Sequence, residues 1–191
     1  MNVTGGSLLT ILATGSITGD THFATNGPDG GTQYTSTNVS ATGGISGIAH
    51  NARTMFLVGV FLSATEPSGA GPVSLTYNFT TVTQPTYSPL LNQTFFIGDG
   101  RTGTGTGDAQ VFTAPVGTTR LFLGFADSFN SSPITGLPGF YGDNGGSLSA
   151  RISTVLEPSA VFTGLALLGL AGFRERRRSR CGSLQPSRSR R

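Results

Sequence analysis

The chain carries little charge and lacks two residue types altogether. Its 191 residues include no Trp, no Lys, one Cys and two His, and only 11% of the side chains are charged. Helical bundles and coiled coils need many Ala, Glu, Lys, Leu and Arg residues at helical spacing, so this composition argues against both. The 29 Gly and 10 Pro residues instead favour short strands joined by turns.

The residues that most often perform catalysis are scarce. The single cysteine, Cys181, excludes an intrachain disulfide and a multi-cysteine metal site. Neither His22 nor His50 stands in a metal-binding or nucleophile motif. Residues 102–108 (TGTGTGD) lack the Lys-Ser/Thr pair of a phosphate-binding loop and predict a hairpin connection instead. We therefore expect that the protein is not an enzyme.

Positive charge is confined to the end of the chain. All twelve basic residues are arginines, and eight of them lie in the last eighteen positions. Residues 1–173 contain four arginines and eight acidic residues, which leaves this part with a net charge of −4. Nucleic-acid binding needs cations clustered on the folded body, so we expect no nucleic-acid partner.

The C-terminal segment combines three features in a fixed order. Glu157, Pro158 and Ser159 precede an apolar run at residues 160–173 (AVFTGLALLGLAGF), and a basic cluster follows: Arg174, Arg176, Arg177 and Arg178. As a helix this run would be about 21 Å long, against roughly 30 Å for the hydrocarbon core of a bilayer. It predicts a short transmembrane helix with its arginines on the cytoplasmic side. A buried terminal helix is the alternative.

This order resembles the PEP-CTERM sorting signal of exosortase-processed bacterial surface proteins. The family's Pro-Glu-Pro corresponds to Leu156-Glu157-Pro158 here. The resemblance implies export to the cell envelope or extracellular surface, processing by an exosortase-type membrane enzyme, and a membrane anchor before processing. It also implies a secretory signal, which we expect upstream of Met1. A cytoplasmic protein with an inert tail is the alternative. The predicted organisation is a body at residues 1–154, the sorting signal at 155–180 and a disordered basic tail at 181–191.

The body has the pattern of an all-β protein. No segment before residue 155 keeps a helical period, whereas seven segments are rich in Val, Ile, Phe, Leu and Thr and are mostly bounded by turn residues. They predict an antiparallel two-sheet sandwich of seven or eight strands. Residues 54–63 (TMFLVGVFLS) are apolar almost throughout and predict a central strand covered on both faces. The seven segments are residues 7–13, 54–63, 73–80, 94–97, 109–113, 119–126 and 147–154.

Two glycine-rich loops, residues 14–31 and 126–146, hold acidic residues and Asn. Calcium prefers six to eight oxygen ligands, which carboxylates, Asn side chains and backbone carbonyls supply. Asp143 and Asn144 are adjacent, so only a turn lets both face one ion. The alternative is an ordinary Asp-Asn-Gly-Gly turn without a ligand.

Residues 111–127 (VFTAPVGTTRLFLGFAD) and 137–152 (LPGFYGDNGGSLSARI) resemble the C-terminal half of the calcium-dependent galactose-binding bacterial lectins. That family is a small jelly-roll sandwich with a Pro-Gly-x-Tyr-Gly-Asn-Asn-Ser-Gly loop before its final strand, which matches residues 138–146. The resemblance implies a jelly-roll-like fold and a calcium site. The implied metal ligands are Asp127, the Phe140 carbonyl, Asp143, Asn144 and a backbone carbonyl near Gly19.

The same resemblance implies a sugar site. Its contacts would be Asp127, Phe140, Tyr141, Asp143 and, from a matching Gly-Pro-x-Gly loop, Asp29. We therefore expect an exported surface protein with a calcium-dependent carbohydrate-binding domain. Weak single-site binding would make many copies, or a homo-oligomer, useful for adhesion. The alternative is a non-catalytic structural surface or matrix protein in which calcium only stiffens a loop.

Overall fold

The computed structural model describes residues 1–19, 25–32, 36–127, 136–139 and 141–156. The chain divides into two units, Met1–Val155 and Leu156–Arg191. The first unit is the body. The apolar run, the basic tail and the predicted sorting signal from residue 157 onward lie outside the described residues. No helix within the described ranges has the length and apolarity needed to cross a membrane.

The described body is all-β, with one short 3-10 helix at Thr81–Thr83. Its strands are β1 (Leu8–Thr18), β2 (Thr37–Val39), β3 (Ile48–His50), β4 (Leu57–Leu62), β5 (Leu75–Tyr77), β6 (Thr86–Tyr87), β7 (Thr94–Phe96), β8 (Arg101–Gly103), β9 (Thr106–Ala109), β10 (Val111–Thr113), β11 (Arg120–Phe125) and β12 (Gly145–Thr154).

These strands form three sheets and a hairpin. The first sheet has the order β12-β1-β10-β6, the second β11-β4-β7 and the third β2-β3-β5, while β8 and β9 pair only with each other in the described part. Most neighbours are antiparallel, but β10 pairs with β6 and β3 pairs with β5 in parallel.

The first hydrophobic core lies between the first and second sheets. Leu9 and Ile11 of β1 meet Phe61 of β4 and Phe95 of β7, and all four side chains are fully buried. The rings of Phe61 and Phe95 stack with centroids 5.0 Å apart, and Phe112 of β10 lies 5.5 Å from Phe95. Aromatic packing thus joins the two sheets.

The second core lies between the second and third sheets. It contains Ile48 of β3, Tyr77 of β5 and Phe96 of β7, with Val58 of β4 packed against it. Since Phe61 belongs to the first core, β4 is covered on both faces. This confirms the central strand predicted at residues 54–63.

The all-β sandwich class is confirmed, and each of the seven predicted segments contains a strand. The hairpin predicted at residues 102–108 is also found, as β8 and β9. The prediction of two purely antiparallel sheets is wrong. A third sheet covers the second, and two strand pairs are parallel. Strands of two or three residues, such as β2, β3 and β6, are too short to show an alternating pattern.

β1 continues five residues beyond its predicted end. It pairs with β12 over ten residues, from Leu9 opposite Thr154 to Thr18 opposite Gly145. Residues 14–18, predicted to be loop, therefore belong to the strand. This register places Gly19, just after β1, beside Asn144, just before β12.

His50 is buried among aromatic rings in the second core. Its side chain is 0% exposed, and its ring centroid lies 5.4 Å from Phe56, 6.0 Å from Phe79 and 5.9 Å from Phe96. The Ala52 N–H donates to Nδ1 at 3.1 Å, so the ring proton is on Nε2. Burial, together with the charge of Arg53, lowers the pKa of His50 to about 4.

Candidate functional site

The ends of three strands bring several of the predicted site residues together. Gly19 follows β1, Asp127 follows β11, and Asn144 precedes β12. A Cβ built on Gly19 would lie 3.8 Å from Asn144 Oδ1. We call Gly19, Asp127, Tyr141 and Asn144 the loop cluster.

A side-chain hydrogen bond closes the loop cluster. Asn144 Nδ2 donates to Asp127 Oδ2 at 2.9 Å, joining residues 17 positions apart. The Asp127 carbonyl also accepts a hydrogen bond from the Gly139 N–H at 3.3 Å. The β11 end and the loop before β12 are therefore tied together at Asp127.

Tyr141 forms the aromatic edge of the loop cluster. Its side chain is 49% exposed, and its ring meets Phe125 edge to face with centroids 5.4 Å apart. The hydroxyl donates to the Phe125 carbonyl at 3.4 Å. Partial burial raises the pKa of Tyr141, and the nearby charge of Asp127 adds to the rise. The hydroxyl therefore stays protonated at neutral pH.

The remaining predicted ligands are placed differently. Asp143 is exposed, and no hydrogen bond or ion pair links it to Asp127 or Asn144 in the described part of the loop. Phe140, predicted both as a calcium ligand and as a sugar contact, lies outside the described residues.

The loop cluster supplies some of the oxygen ligands that calcium prefers. Oxygens around calcium lie roughly 2.3 to 2.6 Å from the ion, so neighbouring ligands are about 3 Å apart. The side chains of Asp127 and Asn144 meet at 2.9 Å, although the Asn144 amide presents Nδ2 rather than Oδ1 to the carboxylate. No group of three His, Cys, Asp or Glu side chains lies together among the described residues. Water, backbone carbonyls or ligand hydroxyls would have to complete the shell.

Asp29, predicted to contact sugar, lies in a different cluster. Asp29 is 9% exposed, and its Oδ1 accepts a hydrogen bond from the Asp99 N–H at 2.8 Å. Its Oδ2 lies 3.9 Å from Arg53 Nη1, which donates to the Asp29 carbonyl at 3.0 Å. These contacts give Asp29 a role in holding the turn at residues 27–30 against the segments that precede β4 and β8.

Comparisons with family models, curated proteins and solved structures found no match. The two resemblances therefore rest on the motifs themselves.

An apolar groove of about 260 Å³ borders the loop cluster, and the sequence did not predict it. Phe122, Phe125 and Tyr141 are among its lining residues, together with Val39 and Ile48. The last two belong to β2 and β3, the short strands that the sequence pattern missed. Exposed Phe122, which alternates with buried Leu121 in β11, was the available signal that this face is apolar.

Proposed function

We propose that the body is a carbohydrate-binding domain of an exported surface protein and that its site is the loop cluster. The observation that carries this proposal is the contact between Asn144 Nδ2 and Asp127 Oδ2 at 2.9 Å. Two oxygen-bearing side chains from separate strand ends meet there, beside a half-exposed aromatic ring. The all-β sandwich supports the proposal, because it is the fold class that the lectin resemblance implies.

The loop cluster would hold calcium through the Asp127 carboxylate and the Asn144 amide oxygen. For the amide oxygen to bind the ion, the Asn144 amide must rotate so that Oδ1 takes the place of Nδ2 beside Asp127. Bound calcium would supply positive charge for vicinal sugar hydroxyls. Asp143 adds negative charge nearby, which favours a cation without direct contact.

The protein's own aromatic side chains would orient the sugar. Tyr141 offers a half-exposed ring, and the apolar C–H face of a sugar ring packs on such a surface. Its hydroxyl is committed to the Phe125 carbonyl, which holds the ring in place. The groove beyond Tyr141 gives room for a second apolar contact along Phe122.

Asp127→Asn is expected to abolish the response to calcium while leaving the sandwich folded. For the unchanged protein, calcium at one hundred times its Kd contributes about 2.7 kcal/mol, a rise in Tm of roughly 5 to 10 °C for a domain of this size. The variant should show no rise. Differential scanning calorimetry with calcium and with chelator measures this, and titration calorimetry with monosaccharides in both conditions measures sugar binding.

Asp108→Asn is the matched control, because Asp108 is an exposed carboxylate on β9 rather than a member of the loop cluster. It should keep the full calcium response, and Asp143→Asn should weaken it only in part. Equal loss in Asp108→Asn would contradict the assignment. A calcium response without heat from any monosaccharide would instead favour the structural surface or matrix role.

The export half of the proposal rests on the C-terminal sequence. Residues 157–178 carry the Glu-Pro-Ser, apolar and arginine pattern of a PEP-CTERM signal. In cells that contain an exosortase, we expect surface labelling to detect the protein made from the full chain. The labelling should be lost when residues 157–178 are deleted. Equal labelling of both forms would count against this signal.

A further inference from the structure

A second cleft lies beside Asp29, and none of its lining residues belongs to the loop cluster. Its volume is about 170 Å³, and two arginines, Arg53 and Arg101, line it together with Asp29, Phe79 and Phe96. This volume is below the roughly 300 Å³ at which pockets for drug-sized molecules begin, so it suits a single small ring.

Arg53 is fixed in position but keeps an unused donor. Its side chain is 14% exposed, and Nη1 donates to the Asp29 carbonyl at 3.0 Å while Nη2 donates to Thr104 Oγ1 at 3.2 Å. The guanidinium also lies 5.2 Å from the centroid of the Phe79 ring. Its Nε is buried and has no hydrogen-bond partner in the described part of the chain. An acceptor in the cleft would therefore meet the guanidinium at Nη2, whose bond to Thr104 is exposed, rather than at the buried Nε.

Arg101 adds a second cation to the same cleft, and its charge also interacts with the Asp99 carboxylate. Its Nη1 donates to the Gly107 carbonyl at 3.0 Å, and it forms no ion pair within the described residues. The Asp99 carboxylate is occupied by backbone donors, because it accepts hydrogen bonds from the N–H groups of Arg101 and Gly105. The cleft is thus lined by two cations and by one carboxylate, Asp29, that is already paired with Arg53. This is a local reversal of the net charge of −4 over residues 1–173.

The other walls fit a sugar ring better than a bare anion. Phe79 is 53% exposed and offers an apolar surface. Thr83, Thr102 and Thr104 line the same cleft, and the Thr104 hydroxyl oxygen accepts a hydrogen bond from Arg53. We propose that this cleft binds an acidic monosaccharide, a hexuronate, whose carboxylate takes the free donors of Arg53 and Arg101 and whose ring packs on Phe79.

This site is independent of calcium and of the loop cluster. The test is a titration of the full chain with sodium glucuronate, glucose and inorganic phosphate, each in the presence of EDTA and followed by NMR. Glucuronate should bind, and its affinity should fall as salt rises because the contact is ionic. Glucose, which lacks the carboxylate, and phosphate, which lacks the ring, should each bind at least about tenfold more weakly.

Arg101→Gln should weaken glucuronate binding by about tenfold or more, since it removes a charged hydrogen-bond donor. The matched control is Arg120→Gln. Arg120 also donates to carbonyl groups and lies over an aromatic ring, Phe122, but stands on β11 outside the cleft. It should leave binding unchanged, and unchanged melting of both variants would show that the fold is intact.

The proposal is overturned if glucuronate fails to bind, if glucose matches it, or if Arg120→Gln weakens binding as much as Arg101→Gln. Equal affinity for phosphate and glucuronate would reduce the cleft to a site for small anions and refute the sugar assignment. Because EDTA is present throughout, failure of the calcium proposal leaves these outcomes unaffected, and their failure leaves the calcium proposal intact.

Discussion

Phe95→Ala should lower the free energy of unfolding by about 3 to 5 kcal/mol, which is a large share of the roughly 5 to 15 kcal/mol of a typical domain. Phe95 is 0% exposed and stands in the middle of an aromatic row, 5.0 Å from the Phe61 centroid and 5.5 Å from that of Phe112. Its removal leaves a cavity between the first and second sheets, and rigid neighbouring strands close such a cavity only in part. Urea unfolding followed by circular dichroism measures the loss.

Phe122→Ala is the matched control, because it removes the same atoms from a side chain that is 49% exposed. Phe122 contacts the Arg120 guanidinium at 5.6 Å, so the control should cost about 1 kcal/mol or less. A cost for Phe122→Ala equal to that of Phe95→Ala would show that the first core does not lie where the ring contacts place it.

Acidification from pH 6.5 to 4 should destabilise the protein through His50 by up to about 3 kcal/mol. The pKa of His50 falls from 6.5 to about 4 in the folded state. Between these values the unfolded chain binds a proton that the folded protein does not, so stability falls as pH falls. The pKa of Asp99 is raised by burial, so Asp99 acts in the opposite direction and offsets part of the loss.

His50→Asn isolates the histidine contribution. Asn keeps an acceptor for the Ala52 N–H but gains no charge in acid. Asp99 and the second histidine of the chain are common to both proteins, so their contributions cancel in the difference. The variant should be less stable at pH 7 and should lose less stability between pH 6.5 and 4. Parallel pH profiles for the two proteins would refute the assignment.

The strands that the sequence revealed lie in segments of four or more residues rich in apolar and β-branched side chains, even where the strand itself, as in β5, β7 and β10, has only three residues. In β11, buried Leu121 stands next to exposed Phe122, and Gly and Pro residues mark the neighbouring turns. The equally short β2 and β3 lie in a stretch rich in Thr, Ser and Gly, so composition does not separate them from loop. The parallel pairs follow from the course of the connections between strands, which no single segment encodes.

Residues of the candidate site could be predicted only where a sequence motif marked them. The loop at residues 138–146 pointed to Asn144, and the end of β11 pointed to Asp127. The contact between them depends on the register of β12 against β1, which the sequence does not show. The position of Asp29 apart from the loop cluster was not predictable, because its partners are distant along the chain: the Asp99 N–H is 70 positions away and Arg53 is 24. The four arginines of the body were the available candidates for an internal partner of Asp29.

The pairing of the first strand with the last has a consequence for synthesis. Leu9 meets Thr154, so β1 leaves the ribosome long before its partner is made. At roughly 5 to 20 residues per second this interval is about 7 to 30 s. Throughout it, the edge of β1 that β12 will pair with stays open to other nascent chains. Folding of the body therefore finishes only after translation passes Thr154, and chaperone binding to the growing chain should be strongest before that point.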